Sequence, residues 1–412
     1  MSEAIVIRKR KSKFKKLAQA AIPEGGNLDL CLTCSACVNG CPATGINDMD
    51  PRKFVRMVLL GLDEEVLDTP WIWWCSMCQR CKYACPMGVD IGGLVYTARQ
   101  QWAREKRPKG IQKSCDLHLE YGNSTGIRKE DWVEVCEEIA EETRQGDESW
   151  RDLQAPVDKK GAQYFLNQNA REPTVEPEEM APLWKILHEV GIDWTYSSKF
   201  WDAVNYCMFS GDDKDWKTVV TTQAEIVNGL GCKTVINTEC GHAFYSVYAG
   251  LKRFNIAHDW EFESIITLYA RWIREGRLKV DPSWNKDGLK VTCQDPCNLV
   301  RKGLGDVAAD DLRFVVRHVV GEGNFVDMYP NKSNNYCCGG GGGYLQSGFV
   351  EKRRAFGRIK FDQIQAAGAD IVVTPCHNCH SQIEDICRFY GGKYKTVQLW
   401  TLILKAMVRK QK

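Results

Sequence analysis

The chain has 412 residues, of which 44% are hydrophobic and 26% are charged, a composition typical of a globular protein with a sizeable core. This composition excludes a disordered or collagen-like chain, and the length predicts two or three domains. Lys and Arg number 55 and Asp and Glu 53, and the net charge of +2 argues against a nucleic-acid partner. No apolar run approaches the roughly 18 residues that span a bilayer, so we expect no transmembrane segment.

Residues 1–26 are predicted to form a basic N-terminal tail. Seven of the nine positions from Arg8 to Lys16 are Lys or Arg. Such a run is usually a solvated, partly disordered arm. The alternative is contact with an anionic membrane surface or an acidic partner, to which each charge contributes about 1 kcal/mol.

The chain contains 20 cysteines, and its N-terminus lacks the apolar segment of a secretory signal, so we expect metal ligands more than disulfides. Eight of them form two runs with the spacing C-x2-C-x2-C-x3-C followed by proline: Cys31, Cys34, Cys37 and Cys41, then Cys75, Cys78, Cys81 and Cys85. In bacterial ferredoxins this spacing binds two cubane [4Fe-4S] clusters, and the fourth cysteine of each run reaches the other cluster. The predicted ligand sets are therefore Cys31, Cys34, Cys37 and Cys85, and Cys75, Cys78, Cys81 and Cys41. Eight buried or zinc-binding cysteines, the alternative, would leave the repeated spacing unexplained.

Residues 27–108 are predicted to be a helical two-cluster domain, because the 33 residues between the two runs are too many for a compact ferredoxin. Asp50 as N-cap and Pro51 as first residue predict a helix over residues 51–67. The tryptophans before Cys75 are expected to pack around a buried cluster or to face a partner subunit. Residues 109–180 are predicted to be a helical linker.

Residues 181–412 twice repeat a pattern of helix, glycine, short apolar strand and cysteine, ending at Cys240 and at Cys376. This pattern predicts a duplicated α/β unit with boundaries at 181–285 and 286–412. The predicted fold class is therefore mixed α+β, with a helical two-cluster ferredoxin-type domain followed by duplicated α/β cysteine-rich domains.

Five further cysteines lie in the second copy: Cys297, Cys337, Cys338, Cys376 and Cys379. Five thiols are one more than a cubane needs, which suggests an unusual cluster that binds or releases sulfur. Asp295 as N-cap and Pro296 as first residue would place Cys297 in the first turn of a helix, where the N-terminus stabilises thiolates. Five glycines follow the vicinal pair, and we predict that Gly339, Gly340 and Gly341 contribute to the cofactor site through backbone N–H groups.

These motifs, Cys297 … Cys337-Cys338-Gly339 … Cys376-x-x-Cys379, resemble the cysteine-rich CCG domain of heterodisulfide reductases. Joined to the N-terminal runs, residues 27–400 resemble the D-type subunit of that family, and most of all its branch in a membrane complex associated with sulfite reduction. The resemblance implies a noncubane [4Fe-4S] cluster on the five thiols, at which a substrate disulfide is cleaved. The five cysteines would then be both catalytic residues and metal ligands.

The resemblance also implies a peripheral oxidoreductase subunit on the cytoplasmic side of the membrane, acting on sulfur groups in dissimilatory sulfur metabolism. Its implied partners are a membrane cytochrome b-type subunit that exchanges electrons with quinone, other subunits of the complex, and a small sulfur-carrier protein with C-terminal cysteines. That carrier would present a disulfide or trisulfide to be reduced or formed. The alternatives are an electron-relay subunit of a 2-hydroxyacid or glycerol-3-phosphate dehydrogenase complex, and an electron-transfer module without a substrate.

The first copy departs from the family pattern. Tyr206-Cys207 stands where a vicinal pair is expected, and Cys240-Gly241-His242 replaces C-x-x-C. We therefore expect one noncubane cluster. Cys207 and Cys240 would reach that cluster or form a redox pair of their own, and His242 is predicted as a proton donor or, alternatively, as a histidine with only a structural role. Cys115, outside the motifs, is expected to be a free core or surface thiol.

Overall fold

The computed structural model describes residues 12–409, which contain nineteen α-helices and seven β-strands. The helices are α1 (Lys13–Ala21), α2 (Pro51–Leu60), α3 (Asp63–Asp68), α4 (Trp71–Trp74), α5 (Arg80–Ala84), α6 (Ile91–Gln100), α7 (Lys109–Tyr121), α8 (Lys129–Gly146), α9 (Arg171–Val175), α10 (Met180–Val190), α11 (Tyr206–Ser210), α12 (Asp213–Leu230), α13 (Gly241–Phe254), α14 (Ile265–Arg274), α15 (Cys297–Leu299), α16 (Asp306–Val320), α17 (Val350–Ala367), α18 (His377–Tyr390) and α19 (Leu399–Ala406). The strands are β1 (Tyr164–Asn167), β2 (Trp194–Thr195), β3 (Thr234–Asn237), β4 (Glu261–Ser264), β5 (Val291–Cys293), β6 (Ile371–Val373) and β7 (Lys395–Val397).

The strands form two parallel sheets with the same topology. The first has the order β2-β1-β3-β4, and the second has the order β5-β6-β7. A parallel bridge from Val291 to Phe325 occupies the edge of the second sheet where β2 lies in the first. Strand β3 runs from α12 to α13 as β6 runs from α17 to α18, so the predicted duplication and the mixed, helix-rich fold class are confirmed.

The first α/β unit begins earlier in the chain than the sequence predicts. Strand β1 lies inside residues 109–180, which we predicted as a helical linker, and it pairs along its length with β3. The strand has only four residues, and Phe165 and Leu166 are fully buried by the tertiary pairing. So short a strand between polar segments has no periodic signal of its own, which explains the difference.

The N-terminal helices α1 to α6 carry the two ferredoxin-type runs. Asp50 caps α2 as predicted and accepts a hydrogen bond from Lys53 N at 2.7 Å, but the helix ends at Leu60 and not at residue 67. Gly61 adopts a left-handed conformation with φ of 71° and separates α2 from α3. The tryptophans of α4 are buried within this domain, with at most 4% of each side chain exposed.

Part of the predicted basic tail is helical. Residues 1–11 lie outside the described residues, whereas residues 13–21 form α1, whose Phe14 and Ala18 are buried. Among the helices of residues 12–409, none is both long enough and apolar enough to cross a lipid bilayer.

Candidate metal centre

The eight cysteines of the N-terminal domain lie in two groups that cross the two sequence runs. One small cavity is lined by Cys31, Cys34, Cys37 and Cys85. A second is lined by Cys41, Cys75, Cys78 and Cys81. Each group takes its fourth cysteine from the other run, which is the pairing that the spacing predicts.

The thiols of each group oppose one another's ionisation. Burial, followed by the nearby Cys85 and Cys31, raises the pKa of Cys37 to about 11. Burial and then the neighbouring thiols of its own group also raise the pKa of Cys41. Thiols held together in this way ionise as a set only when positive charge lies between them, and iron supplies that charge. The residues present therefore fit one cubane cluster in each group.

The predicted CCG cysteines are placed by the ends of two short strands. Strand β5 leads to Cys297, the first residue of α15, and β6 leads to Cys376, the N-cap of α18, with Cys379 in the first turn of that helix. The predicted capping by Asp295 is wrong, because Pro296 occupies the N-cap position and the Asp295 carboxylate binds the guanidinium of Arg313 instead. Burial of that ion pair favours the guanidinium over a helix N–H as partner.

The five thiols form one buried group. The Sγ atoms of Cys338 and Cys379 are 3.2 Å apart, and those of Cys297 and Cys337 are 4.0 Å apart. Cys376 lies within hydrogen-bonding reach of Cys379, and hydrogen bonds from its neighbours lower its pKa. At most 6% of any of the five side chains is exposed.

The glycine run passes too close to its neighbours for a side chain. A Cβ atom on Gly340 would lie 2.1 Å from the carbonyl oxygen of Asn378, and one on Gly342 would lie 2.7 Å from that of Ser76. The N–H of Gly339 points at the Sγ of Cys337 at 3.4 Å, and the N–H of Gly340 points at the Sγ of Cys338 at 3.3 Å. Buried thiols with N–H donors around them fit an iron–sulfur cluster, whose negative charge these donors stabilise.

The first repeat contributes a thiol and an imidazole to the same place. Cys240 is the N-cap of α13, in the position that Cys376 has in the second repeat, and its Sγ accepts hydrogen bonds from Asn169 Nδ2 and Ala243 N. Ligand atoms of Cys240, His242 and Cys376 lie within 4.8 Å of one another. His242 Nδ1 is hydrogen-bonded to Asn378, while its buried Nε2 has no hydrogen-bond partner among the described residues.

Cys207 does not take part in this group. It forms a disulfide with Cys115, which joins α11 to α7. The predicted alternatives for Cys207, contact with the cluster or pairing with Cys240, are therefore both corrected, as is the assignment of Cys115 to the free core or surface thiols. The two cysteines are 92 positions apart, and nothing in their local sequences indicates the pairing.

The second ferredoxin-type group touches the CCG group directly. The hydroxyl of Ser76 lies 3.3 Å from the Sγ of Cys337, and a hydrogen bond from Cys337 lowers the pKa of Cys78. Ser76 and Cys78 belong to the loop that carries one predicted cubane. The two predicted cluster sites are thus separated by little more than a pair of side chains.

Two buried arginines, which sequence reasoning missed, fix this contact. Arg301 donates to the carbonyl oxygens of Cys78 at 2.8 Å, Ser333 at 2.7 Å and Asn335 at 2.5 Å. Arg99 donates to the carbonyl oxygens of Cys75 at 2.8 Å and Gly342 at 2.9 Å. Both join the cubane loop to the loops of the CCG group, and a planar guanidinium is suited to bridging several acceptors at once.

Two buried lysines lie on either side of the CCG thiols and were also missed. Lys360 is fully buried within electrostatic reach of Cys338, Cys379 and Cys337, and burial lowers its pKa to about 8. Lys302 is within reach of Cys297 and Cys78, and burial lowers its pKa to about 8 as well. Positive charges here offset the negative charge of a thiolate-bound cluster.

Family models match both parts of this arrangement. A 4Fe-4S dicluster domain matches residues 30–90, and a cysteine-rich domain, CCG, matches residues 291–384. The fold and the cysteine groups thus define an iron–sulfur protein that joins a dicluster domain to a CCG domain.

Characterised relatives share this combination or its dicluster part. An Hdr-like menaquinol oxidoreductase iron-sulfur subunit of Archaeoglobus profundus is 25% identical over 85% of this chain and 74% of its own length. The Hdr-like menaquinol oxidoreductase iron-sulfur subunit 2 of Archaeoglobus fulgidus is 24% identical over the same shares. One component of the ferredoxin:CoB-CoM heterodisulfide reductase of Methanosarcina acetivorans is 36% identical over 27% of this chain and 46% of its own length. The predicted resemblance to a CCG-domain iron–sulfur subunit of the heterodisulfide reductase type is confirmed.

Proposed function

We propose that this chain is the iron–sulfur subunit of a quinol-linked membrane oxidoreductase, and that the CCG group reduces or forms a sulfur–sulfur bond. The observation that carries the proposal is the contact between the cubane loop and the CCG group, Ser76 Oγ to Cys337 Sγ at 3.3 Å. A site built only to relay electrons needs four thiols, whereas this one gathers five and a sixth, Cys240, beside them. The dehydrogenase-relay alternative does not account for the surplus.

The chain's own residues would each have a part in this function. Bound clusters would supply single-electron steps at the two cubane sites and a two-electron sulfur step at a noncubane site. Arg99 and Arg301 hold the loops at a fixed separation, and Lys302 and Lys360 offset negative charge. His242, whose Nε2 lies beside Gly341, is suited to hold a proton for a leaving sulfur.

The finer proposal names the partners. The electron partner would be a membrane cytochrome b-type subunit on the cytoplasmic side, and the substrate would be the disulfide or trisulfide of a small sulfur-carrier protein in dissimilatory sulfur metabolism. The two Archaeoglobus relatives, named as menaquinol oxidoreductase subunits, support the quinol link. Purification of the tagged chain from detergent-solubilised membranes tests the assignment. A cytochrome b-type subunit should copurify, and its absence together with a flavin dehydrogenase subunit would favour the relay alternative.

The sulfur chemistry is tested by three matched serine variants. Cys338→Ser should abolish disulfide reduction by an artificial reductant and lower iron per chain, while both cubane EPR signals remain. Cys240→Ser should lower turnover in part and leave iron unchanged. Cys387→Ser, a buried cysteine outside the site that bonds to the carbonyl of Tyr394, is the control and should behave as wild type. Full disulfide turnover by Cys338→Ser would contradict the proposal.

A further inference from the structure

A cleft of about 580 Å³ lies where the dicluster domain meets the first repeat. Its walls come from the end of α1, from α6, α12 and α13, and from the π-helical turn Val300–Leu304. None of the residues predicted for the cluster sites lines it. Its volume falls within the range of small-molecule binding sites, roughly 300–1,000 Å³.

The inner end of the cleft adjoins the CCG group on the side of Cys297. Lys302 lines the cleft and follows Cys297 by five positions, and the π-helical turn, a feature that is frequent at functional sites, carries it. Met77 lines the same end and immediately precedes Cys78. Cys297 is also the most exposed of the five CCG cysteines, at 6%. A molecule in the cleft would therefore approach Cys297 first.

The charges that line the cleft favour an anion. Lys302, Lys252 and Arg253 line it, against one carboxylate, that of Asp90, which is bound to Lys82 at 2.9 Å. The ammonium of Lys302 lies 3.7 Å from the centre of the Tyr245 ring, and within residues 12–409 no carboxylate is in ion-pair contact with it. Its charge is thus available to a ligand, in a setting where a charge-assisted hydrogen bond is strong.

The remaining wall suits an apolar body that contains sulfur. Tyr96, Trp216, Tyr245 and Tyr248 supply aromatic faces, and two methionines, of which Met208 lies on α11, supply soft thioethers. A ligand with a thioether-like or disulfide middle and an acidic end would satisfy both surfaces.

We propose that this cleft admits the sulfur substrate to Cys297 and selects a disulfide carried close to a carboxylate. The inference rests on the proposed function. The reaction that it serves breaks R–S–S–R′ with two electrons, taken from quinol through the clusters, and two protons, and yields R–SH and R′–SH. A free thiol acid and the C-terminal residue of a cysteine-ending chain present the same chemistry, and the experiment distinguishes these two sources.

Anaerobic calorimetry on the intact, cluster-loaded chain tests the cleft. The probes are 3,3′-dithiodipropionate and its neutral diamide, together with the disulfide of a short peptide that ends in cysteine, with a free or an amidated C-terminus. Wild type should bind each acid at least about tenfold more tightly than its amide. Tighter binding of the peptide acid than of the small diacid would identify a chain terminus as the source, and the reverse order would identify a free thiol acid.

Lysine variants connect that preference to the cleft. Lys302→Met, and separately Lys252→Met as a substitution on α13 farther from the cluster sites, should remove most of the preference for the acid and raise KM for the diacid more than they lower kcat. Lys217→Met, an exposed lysine next to Trp216 on α12, is the matched control and should change neither. Equal binding of acid and amide by wild type, or an unchanged dissociation constant in both lysine variants, would overturn the proposal.

The two proposals fail in different ways. Disulfide turnover that is insensitive to Lys302→Met and Lys252→Met would overturn the cleft assignment and leave the proposed function intact. Binding of the diacid that depends on Lys302, without reduction of any disulfide, would instead overturn the proposed function and with it the substrate role of the cleft.

Discussion

Single buried arginines control the distance between the two kinds of cysteine site. Arg301 satisfies three backbone carbonyl groups that belong to two separate loops. Buried carbonyl groups without partners are costly, at about 1–3 kcal/mol each, so no neutral side chain of similar length replaces this residue. Arg99 has the same role on the other side, where its guanidinium also lies 4.6 Å from the ring of Trp73.

Arg301→Met is therefore expected to lower the free energy of unfolding by at least about 3 kcal/mol and to slow electron transfer between the cubane sites and the CCG group. Chemical denaturation and pre-steady-state reduction measure the two effects. Arg358→Met, which removes an exposed ion pair with Asp362, should change stability by no more than about 0.5 kcal/mol. Similar stability of the two variants would show that the carbonyl contacts of Arg301 contribute little.

At the scale of elements, the glycine run and helix α18 fit together only without side chains between them. Gly340→Ala would drive its Cβ into the carbonyl of Asn378, in the first turn of α18, and displace the thiols on both sides. We expect a loss of at least about 2 kcal/mol in stability and of the iron bound by the CCG group, read by denaturation and metal analysis.

Gly229→Ala is the matched control for that substitution. This glycine lies inside α12, and a Cβ there would meet nothing within 4 Å. Alanine is a better helix former than glycine, so stability should rise by up to about 1 kcal/mol with no change in iron. A Gly340→Ala protein that keeps full iron content would disprove the close packing of the run.

Helix α1 is held by a carboxylate from another element. Asp63, at the start of α3, accepts hydrogen bonds from Ser12 Oγ at 2.5 Å, Lys13 N at 2.7 Å and Phe14 N at 3.1 Å. Burial alone would raise the pKa of Asp63, but these donors lower it below its usual 3.8. A lowered folded-state pKa means that the stabilisation is present above the unfolded pKa and is lost as pH falls through the folded value.

Asp63→Ala should therefore loosen α1 by about 1 kcal/mol at neutral pH, the usual effect of losing a cap. Amide hydrogen exchange of residues 13–21 should speed up about fivefold, while exchange in α18 should not change. In the wild type the same loosening should be absent at pH 5 and should begin only below pH 3.8. Unchanged exchange in α1 of the variant would mean that burial of Phe14 alone holds the helix.

At the scale of the whole molecule, two repeats of one fold have diverged into unequal halves. The second repeat supplies all five CCG thiols, and the first supplies Cys240 and His242 from the matching end of its own strand. The segment before the first sheet and the dicluster domain close the remaining sides, so one site draws on three parts of the chain. A single cluster shared by two repeats is the arrangement that this asymmetry predicts.

Metal analysis of the whole chain tests that arrangement. Thirteen motif cysteines imply two cubane clusters and one noncubane cluster, hence about twelve irons per chain if each holds four. Anaerobically purified protein should give this value with a similar amount of sulfide. A value near eight would mean that the CCG group holds no cluster, and a value near sixteen would mean that the first repeat holds one of its own.

The sequence alone determined what depends on local spacing. The two ferredoxin-type runs and the five CCG cysteines, the Asp50 cap of α2 and the repeated helix–strand pattern are all set by residues close together in the chain, because ligand spacing, capping and periodicity are local properties. The same reasoning missed β1, whose burial comes from β3 some 70 positions later, and it extended α2 past Gly61 because the apolar pattern continues beyond the glycine.

Only the tertiary structure decided how the parts meet. Ser76 and Cys337 are 261 positions apart, and Arg301 reaches a carbonyl 223 positions away. No spacing predicts such contacts, since they depend on how two domains pack and on which buried polar groups then need partners. The cleft beside Cys297, the pairing of Cys115 with Cys207 and the meeting of Cys240 with Cys376 exist for the same reason: each joins residues whose separation the chain closes only when it folds.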